Sequence, residues 1–418
     1  MTAENKAKYD AKLKRINDAI ALREPDRVPI TPSPELYPIY RAGYTVAEVI
    51  YDTSLEKMGK AIKQYLLEYD PDIGQGAGLV FAGEGPAMEL MQPKNMRWAG
   101  MPGNIIDNNS LQQYVEFPVL LDDEFEEFFS DRTGWQLRKA LFRTSGLLEP
   151  LATLEPSTFM GSSRGIAAQF SAPAFREMIE KLWKVNELYG EYQQRAGALS
   201  AEVEAMGYPL ITGAMADVPF DNYSDNYRGT LLSLSDLYIN TEYVEKFIEE
   251  QMEKTVAQIR ASKGVNPGKH VFMPLHKGMD GFMSDEQYRH FYWRHLQKII
   301  EEIIDSGHVP HIYTEGKYNS RLDCLAEVPR GKVFYHFEEV DMAQAKKKLG
   351  DVACIAGGFR STLLEWGTKQ EVIDECKRLL DICAPGGGFV FETSCGLGNC
   401  KPENVEAMFD TVREYGKY

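Results

Sequence analysis

The feature that most constrains this chain is an alternation of short apolar runs with helical stretches that end at glycine. The clearest runs are 209-PLITGAM-215, 270-HVFMPL-275, 309-VPHIY-313, 333-VFYHF-337, 352-VACIAGG-358 and 388-GFVFET-393. Residues 285–307, 341–350 and 368–386 carry helical patterns that stop at or just before a Gly, the usual C-terminal signal. Residues 3–22 predict an amphipathic helix that leads into the first run. Continuous apolar strands, each followed by a helix, predict a parallel sheet covered on both faces. Adding 28-VPI-30 and 71-PDIG-74 allows eight such units, which favours a closed (β/α)8 TIM barrel over an open doubly wound sheet. No GxGxxG or GxxxxGK(S/T) follows a strand, so nucleotide-binding fingerprints are absent. Residues 85–170, with the acidic-aromatic 122-DDEFEEFF-129, break the alternation and predict an insertion over the barrel mouth. At about 150 residues per domain the 418 residues allow two or three domains. With no linker and no internal repeat, one elaborated α/β domain over residues 1–418 is the expectation.

Charge narrows the function classes. Lys and Arg number 46 against 62 Asp and Glu, a net charge of −16, which argues against a nucleic-acid or anionic-membrane surface. No apolar run approaches the ~18 residues of a membrane span, and the start MTAENKAKYDAKLKR is too polar for a signal peptide. A soluble, cytoplasmic protein follows, with its thiols reduced. All seven His and six Cys lie in the last two fifths of the chain, and there is no CxxC pair.

In a barrel, function sits at the C-terminal strand ends. Those ends deliver His276 and Lys277, then His311, Tyr313 and Glu315, then His336 with Glu338 and Glu339, and finally Glu392 and Cys395. Glu315, His336 and Cys395 offer an oxygen, a nitrogen and a sulfur from three strand ends. Three protein ligands with an open fourth position is how catalytic zinc is held. The plainer alternatives are a satisfied strand-end histidine and a small core cysteine, although Cys395 stands outside its apolar run, between Ser394 and Gly396. His276 and Lys277 suit an anionic substrate group, against the alternative of a surface lysine snorkelling over a loop. Asp70 and Asp72 are candidate acids at an early strand end, or turn formers around Pro71. Asp217 and Asp221, which leave the 209–215 run, are candidates to orient a substrate, and turn chemistry explains them nearly as well.

Several stretches together resemble one superfamily. These are 23-REPDRVPITPSPELYPIYRAGYTVAEVIYD-52, 70-DPDIGQG-76, 272-FMPLHKGMDGFMSDEQYRHFYWRHLQKII-300, 338-EEVDMAQAKKKLGDVACIAGG-358 and 393-TSCGLGNCKPENVEAMFDTVREYG-416. The pattern is similar to the uroporphyrinogen decarboxylase superfamily, which implies a single TIM barrel. True decarboxylases carry an Arg-rich segment after the first strand, an FSDI-type Asp and a late GHG. Here those places hold Pro34 to Pro38 with only Arg41 nearby, Asp70 and Asp72 in another context, and Ser394-Cys395-Gly396. A polycarboxylate tetrapyrrole needs bidentate cations, so the resemblance points to the other branch, zinc methyltransferases that work with corrinoid proteins. Those bind zinc through an H-x-C and a Cys in a late CG pair. Cys395-Gly396 matches the pair, and Tyr313-Thr314-Glu315 occupies the H-x-C place, or His311 and Tyr313 in another register.

A thiolate is missing in either register, and a Glu315, His336 and Cys395 set, with His311 as the alternative ligand, makes zinc more Lewis acidic. The resemblance thus implies a zinc-dependent methyltransferase. It would move a methyl group from a small methylated substrate, best an aryl methyl ether, to the cobalt of a corrinoid (cobalamin). With no DxHxxG in the chain, that corrinoid comes on a separate partner protein. Substrate contacts are expected from His276, Lys277, Asp72, Asp217 and Tyr313. The alternatives are a uroporphyrinogen decarboxylase-type decarboxylase, a methylcobamide:thiol methyltransferase, and a binding protein that has kept the barrel without its site. A homodimer is the expected assembly if the decarboxylases are the guide.

Overall fold

The computed structural model describes residues 1–154 and 162–418. Its centre is a six-stranded sheet of parallel strands in chain order: β3 (Thr212–Met215), β4 (His270–Leu275), β5 (Val309–Lys317), β6 (Phe334–Glu339), β7 (Cys354–Gly357) and β8 (Phe389–Val390). Sequential order is what right-handed strand–helix–strand crossovers produce. The strands expected at 28–30 and 71–74 are present only as short segments. Phe391 N–H donates to Pro29 O and Thr31 N–H to Phe391 O, while Asp72 N–H donates to Ile30 O and Gly74 N–H to Pro209 O. The curled sheet thus returns on itself through one or two bonds per segment. Pro29, Pro32 and Pro71 have no N–H to give, so a longer ladder cannot form there.

Side chains alternate across each strand. The outward set, including Val271, Met273, Ile312, Tyr335 and Ile355, is buried in one continuous core with Leu296, Ile299 and Ile303 of the helix Arg294–Asp305. The inward set fills the barrel. At its N-terminal end Phe334, Cys354, Ala356 and Val390 pack against Ile16, Ala19 and Ile20 of α1 (Ala3–Ile20), so the leading helix plugs the barrel floor. Against Phe334, His270 and His311 stand edge to face at 5.4 Å, and higher in the barrel Tyr313 lies 4.6 Å from His336, ring centre to ring centre.

The segment from residue 85 reaches the mouth, where Tyr114, Glu116 and Phe117 line the cleft. It begins with the helix Gly85–Met91, continues through an antiparallel ribbon, β1 (Met96–Arg97) and β2 (Gln113–Tyr114), and goes on into short helices. Phe125 stacks on Tyr243 at 4.7 Å, and Phe128 on Phe247 at 6.1 Å. Residues 155–161 of the expected 85–170 cover lie outside the described residues. Among the described residues no helix is long and apolar enough to cross a membrane.

Candidate functional site at the barrel mouth

A cleft of about 730 Å³ opens over the ends of β3, β4 and β5, under the 114–119 stretch of the cover. Its walls are apolar and aromatic: Tyr114, Phe117, Met215, Phe272, Pro274 and Phe282. Its polar residues include Asp217, Asp225, His276, Lys277, Glu315 and Glu116, and no arginine lines it among the described residues. The period of two explains the membership. Phe272, Pro274 and His276 share one side of β4 and its extension, and Glu315 lies on the inward side of β5, two residues beyond Tyr313, which stands deeper in the barrel.

His276 is the best-held group in the cleft. Its Nδ1 lies 2.5 Å from Asp225 Oδ2, and its Nε2 stands 3.7 Å from Glu315 Oε1, beyond hydrogen-bond reach. Burial by itself would lower the imidazole pKa. The Asp225 hydrogen bond and the charges of Asp221, Asp225 and Glu315 outweigh that and push it up to about 9, so His276 is an imidazolium at neutral pH. Its backbone is fixed from beneath: the fully buried Asp221 accepts from the His276 N–H at 3.0 Å, the Lys277 N–H at 2.9 Å and the Tyr292 hydroxyl at 2.5 Å. Asp221 and Asp225 lie one turn apart where the helix Pro219–Tyr223 runs into a wide π-type turn, Ser224–Arg228. Such turns gather at functional sites because the extra residue re-aims side chains. Lys277 Nζ bridges Asp225 (3.1 Å) and Glu116 (3.3 Å), and Glu116 also accepts from the Thr230 N–H and hydroxyl. The cover is thereby tied to the C-terminal end of β4.

The residues expected to bind zinc are not gathered. Glu315 faces His276. Burial holds its carboxyl above the usual range, and neighbouring Glu338 adds to this. His336 donates from Nε2 to Thr393 O at 2.7 Å, with Nδ1 3.7 Å from Glu392 Oε1. Burial moves this pair toward neutrality from both sides, lowering His336 to about 4 and raising Glu392 to about 8. Cys395 Sγ lies 2.9 Å from Ser361 Oγ. The alternative ligand His311 is buried, its Nδ1 3.5 Å from that of His270. Among the described residues no three His, Cys, Asp or Glu side chains are grouped to hold a metal ion. The zinc donor set therefore does not fit the arrangement as it stands.

Of the expected substrate contacts, His276, Lys277 and Asp217 line the cleft. Tyr313 stands within the barrel beside His336, its hydroxyl donating to Ser394 O at 3.2 Å. Asp72 is corrected outright. It is fully buried, accepts from Arg15, Arg27 and the Ile30 N–H, and has no surface to offer a ligand. Two residues of the site went unread in the sequence. Asp225 follows Asp221 by one helical turn, a spacing that could have found it. Glu116 lies 161 residues from Lys277 and carried no signal.

The sequence profile described as Uroporphyrinogen decarboxylase (URO-D) matches residues 151–415, more than half of the chain. The chain belongs to the uroporphyrinogen decarboxylase family. Among solved structures it is similar to a methyltransferase from Methanosarcina mazei, at 16% identity and a TM-score of 0.59, over 97% of this chain and 98% of that one. At that identity the likeness is one of fold, and it extends the family's barrel architecture over essentially the whole chain. No curated protein matches the chain.

Proposed function

We propose that this member of the uroporphyrinogen decarboxylase family is a methyltransferase. It would take a methyl group from a small methylated substrate, best an aryl methyl ether, and pass it to the cobalt of a corrinoid carried by a separate protein docked over the mouth. The observation that carries the reading is the make-up of the cleft: aromatic walls, an imidazolium among them and, among the described residues, no arginine. Such a cleft is a poor host for the carboxylates of a tetrapyrrole, which call for bidentate cations. It suits a flat ligand with one heteroatom to be activated.

His276 does the activating. Asp225 holds Nδ1, so the proton on Nε2 is unspent and can face the cleft. The reduced, nucleophilic cobalt(I) attacks the methyl carbon with its electron pair. As the carbon–oxygen bond breaks, its pair goes to oxygen, and His276 gives that oxygen its proton. The products are methyl-cobalt(III) and a phenol. General acids of this kind contribute about 10²–10⁴-fold. The zinc expected at Glu315, His336 and Cys395 is the rival: all three side chains would have to leave their present partners to bind it.

Incubation of the purified protein with 2-methoxyphenol and cob(I)alamin, followed by the absorbance of methylcobalamin, tests the proposal. Transfer should fall about 100-fold or more in His276→Gln, and in the wild-type protein it should decline as pH rises through about 9, where the imidazolium is lost. Stoichiometric zinc that disappears with Cys395→Ala, together with full transfer by His276→Gln, would hand the activating role to the metal. Conversion of uroporphyrinogen without any corrinoid would restore decarboxylation.

A further inference from the structure

The cleft carries a charge that its own residues leave unused. Its two cations are outnumbered: Lys277 bridges Asp225 and Glu116, and His276 gives Nδ1 to Asp225 with Glu315 3.7 Å from its Nε2. Asp217 is different. It leaves the end of β3 into the cleft lining, is exposed, and receives no hydrogen bond or ion pair from any described residue. The cleft walls around it strip enough water to hold its carboxyl above the usual range, His276 nearby pulls the other way, and Asp225 adds to the rise. A carboxylate so placed gains from a ligand that brings it a proton donor or a cation, and loses from one that brings a second anion.

We propose that Asp217 selects the substrate: the cleft accepts neutral or cationic methylated aromatics that carry an O–H or N–H donor beside the methylated heteroatom, and rejects those that carry a carboxylate there. This rests on the methyl-transfer reading and deepens it. Asp217 lines the cleft together with His276, whose charge it feels. A ligand with its donor adjacent to the ether oxygen, as in 2-methoxyphenol, presents one atom to each. The ring then lies between the aromatic walls, where Phe272 and Phe282 supply area and offset stacking. A 2-methoxybenzoate of the same shape would set its carboxylate against Asp217, in a cleft where Asp225, Glu116 and Glu315 already face the two cations.

Calorimetric titration of the purified protein at pH 7.5 with 2-methoxyphenol and 2-methoxybenzoate, with no corrinoid present, decides the matter. The wild-type protein should bind the phenol at least about 10-fold more tightly, and Asp217→Asn should erase most of that preference. Its exposed position makes the exchange compatible with an unchanged circular dichroism spectrum. A wild-type preference for the benzoate, no binding of either ligand, or a ratio unchanged in Asp217→Asn would overturn the proposal. Because binding is read without transfer, the two readings fail separately. A preference kept by a protein that never methylates cobalt sinks the transfer reading alone, and transfer with no preference sinks the role of Asp217.

Discussion

Asp221 and Asp225 divide the work of presenting His276. Asp225 holds the ring; Asp221, out of contact with the cleft, holds the backbone of residues 276 and 277 and adds a negative charge beneath the imidazolium. Asp221→Asn keeps the shape and removes that charge. It also turns an amide N–H₂ toward partners that are themselves donors, which costs about 1–3 kcal/mol. The pKa of His276 should fall, and the alkaline limb of the rate profile should move down by about one pH unit. A purely structural role would lower the rate at every pH and leave the limb in place, so kcat/KM between pH 6 and 10 separates the two. The pair was half legible. Asp221 stands beyond a strand end, where barrels place function, but a carboxylate after Val-Pro-Phe is equally good turn chemistry. Only the three donors converging on it decide between the two readings.

Among the elements, α1 has the clearest structural task. A barrel whose inward residues at the floor are Phe334, Cys354, Ala356 and Val390 would expose apolar surface to water from below, and Ile16, Ala19 and Ile20 cover it. The amphipathic pattern of residues 3–22 was readable, and so was the helix. Its target was not, because periodicity reports that a face is apolar and says nothing of which surface meets it. Ile16→Ala leaves a void where packing is dense, at a cost of about 2–5 kcal/mol. The urea midpoint should fall accordingly, with the affinity of the folded protein for 2-methoxyphenol unchanged, since the plug and the cleft lie at opposite ends of the barrel. Equal stability in the variant would mean that α1 does not seal the floor. The strands followed the same logic. Runs bounded by turn residues were placed well, and β5 extends beyond its expected end to Lys317, carrying Glu315 to the mouth, because sheet pairing with β6 continues where the apolar pattern stops.

At the scale of the whole molecule, the ring closes at its weakest place through Asp72. Between β8 and β3 the curled sheet has only the proline-interrupted segments 29–31 and 72–74, each held by one or two backbone bonds. Asp72 reinforces them. Its carboxylate accepts from Arg27 Nη1 (2.7 Å) and Nη2 (3.0 Å), from Arg15 Nη1 of α1 (2.5 Å) and from the Ile30 N–H (2.7 Å), so plug, first segment and second segment meet at one buried anion. Nothing in the sequence could announce this meeting, since Arg15 and Arg27 stand 57 and 45 residues away. What the sequence offered was an acid near a strand end, and the reading as a substrate contact was the natural error.

The two roles predict opposite outcomes for Asp72→Asn. As a closure residue, its loss leaves two guanidiniums, 10% and 14% exposed, facing a neutral amide. Arg15 keeps Asp26, while Arg27 has no such second carboxylate among the described residues. Removing one partner of a buried pair costs about 3–5 kcal/mol, and the expected loss here lies at the lower end because Arg15 retains a partner. The urea midpoint should drop, and the thermal midpoint should fall by roughly 6 °C or more at about 2 °C per kcal/mol. The Kd for 2-methoxyphenol, measured well below the transition, should stay within about twofold of the wild-type value. Had the residue touched substrate, the affinity would weaken and the midpoints would hold. A variant of wild-type stability with severalfold weaker binding would therefore return Asp72 to the cleft and leave the ring closure to its few backbone bonds.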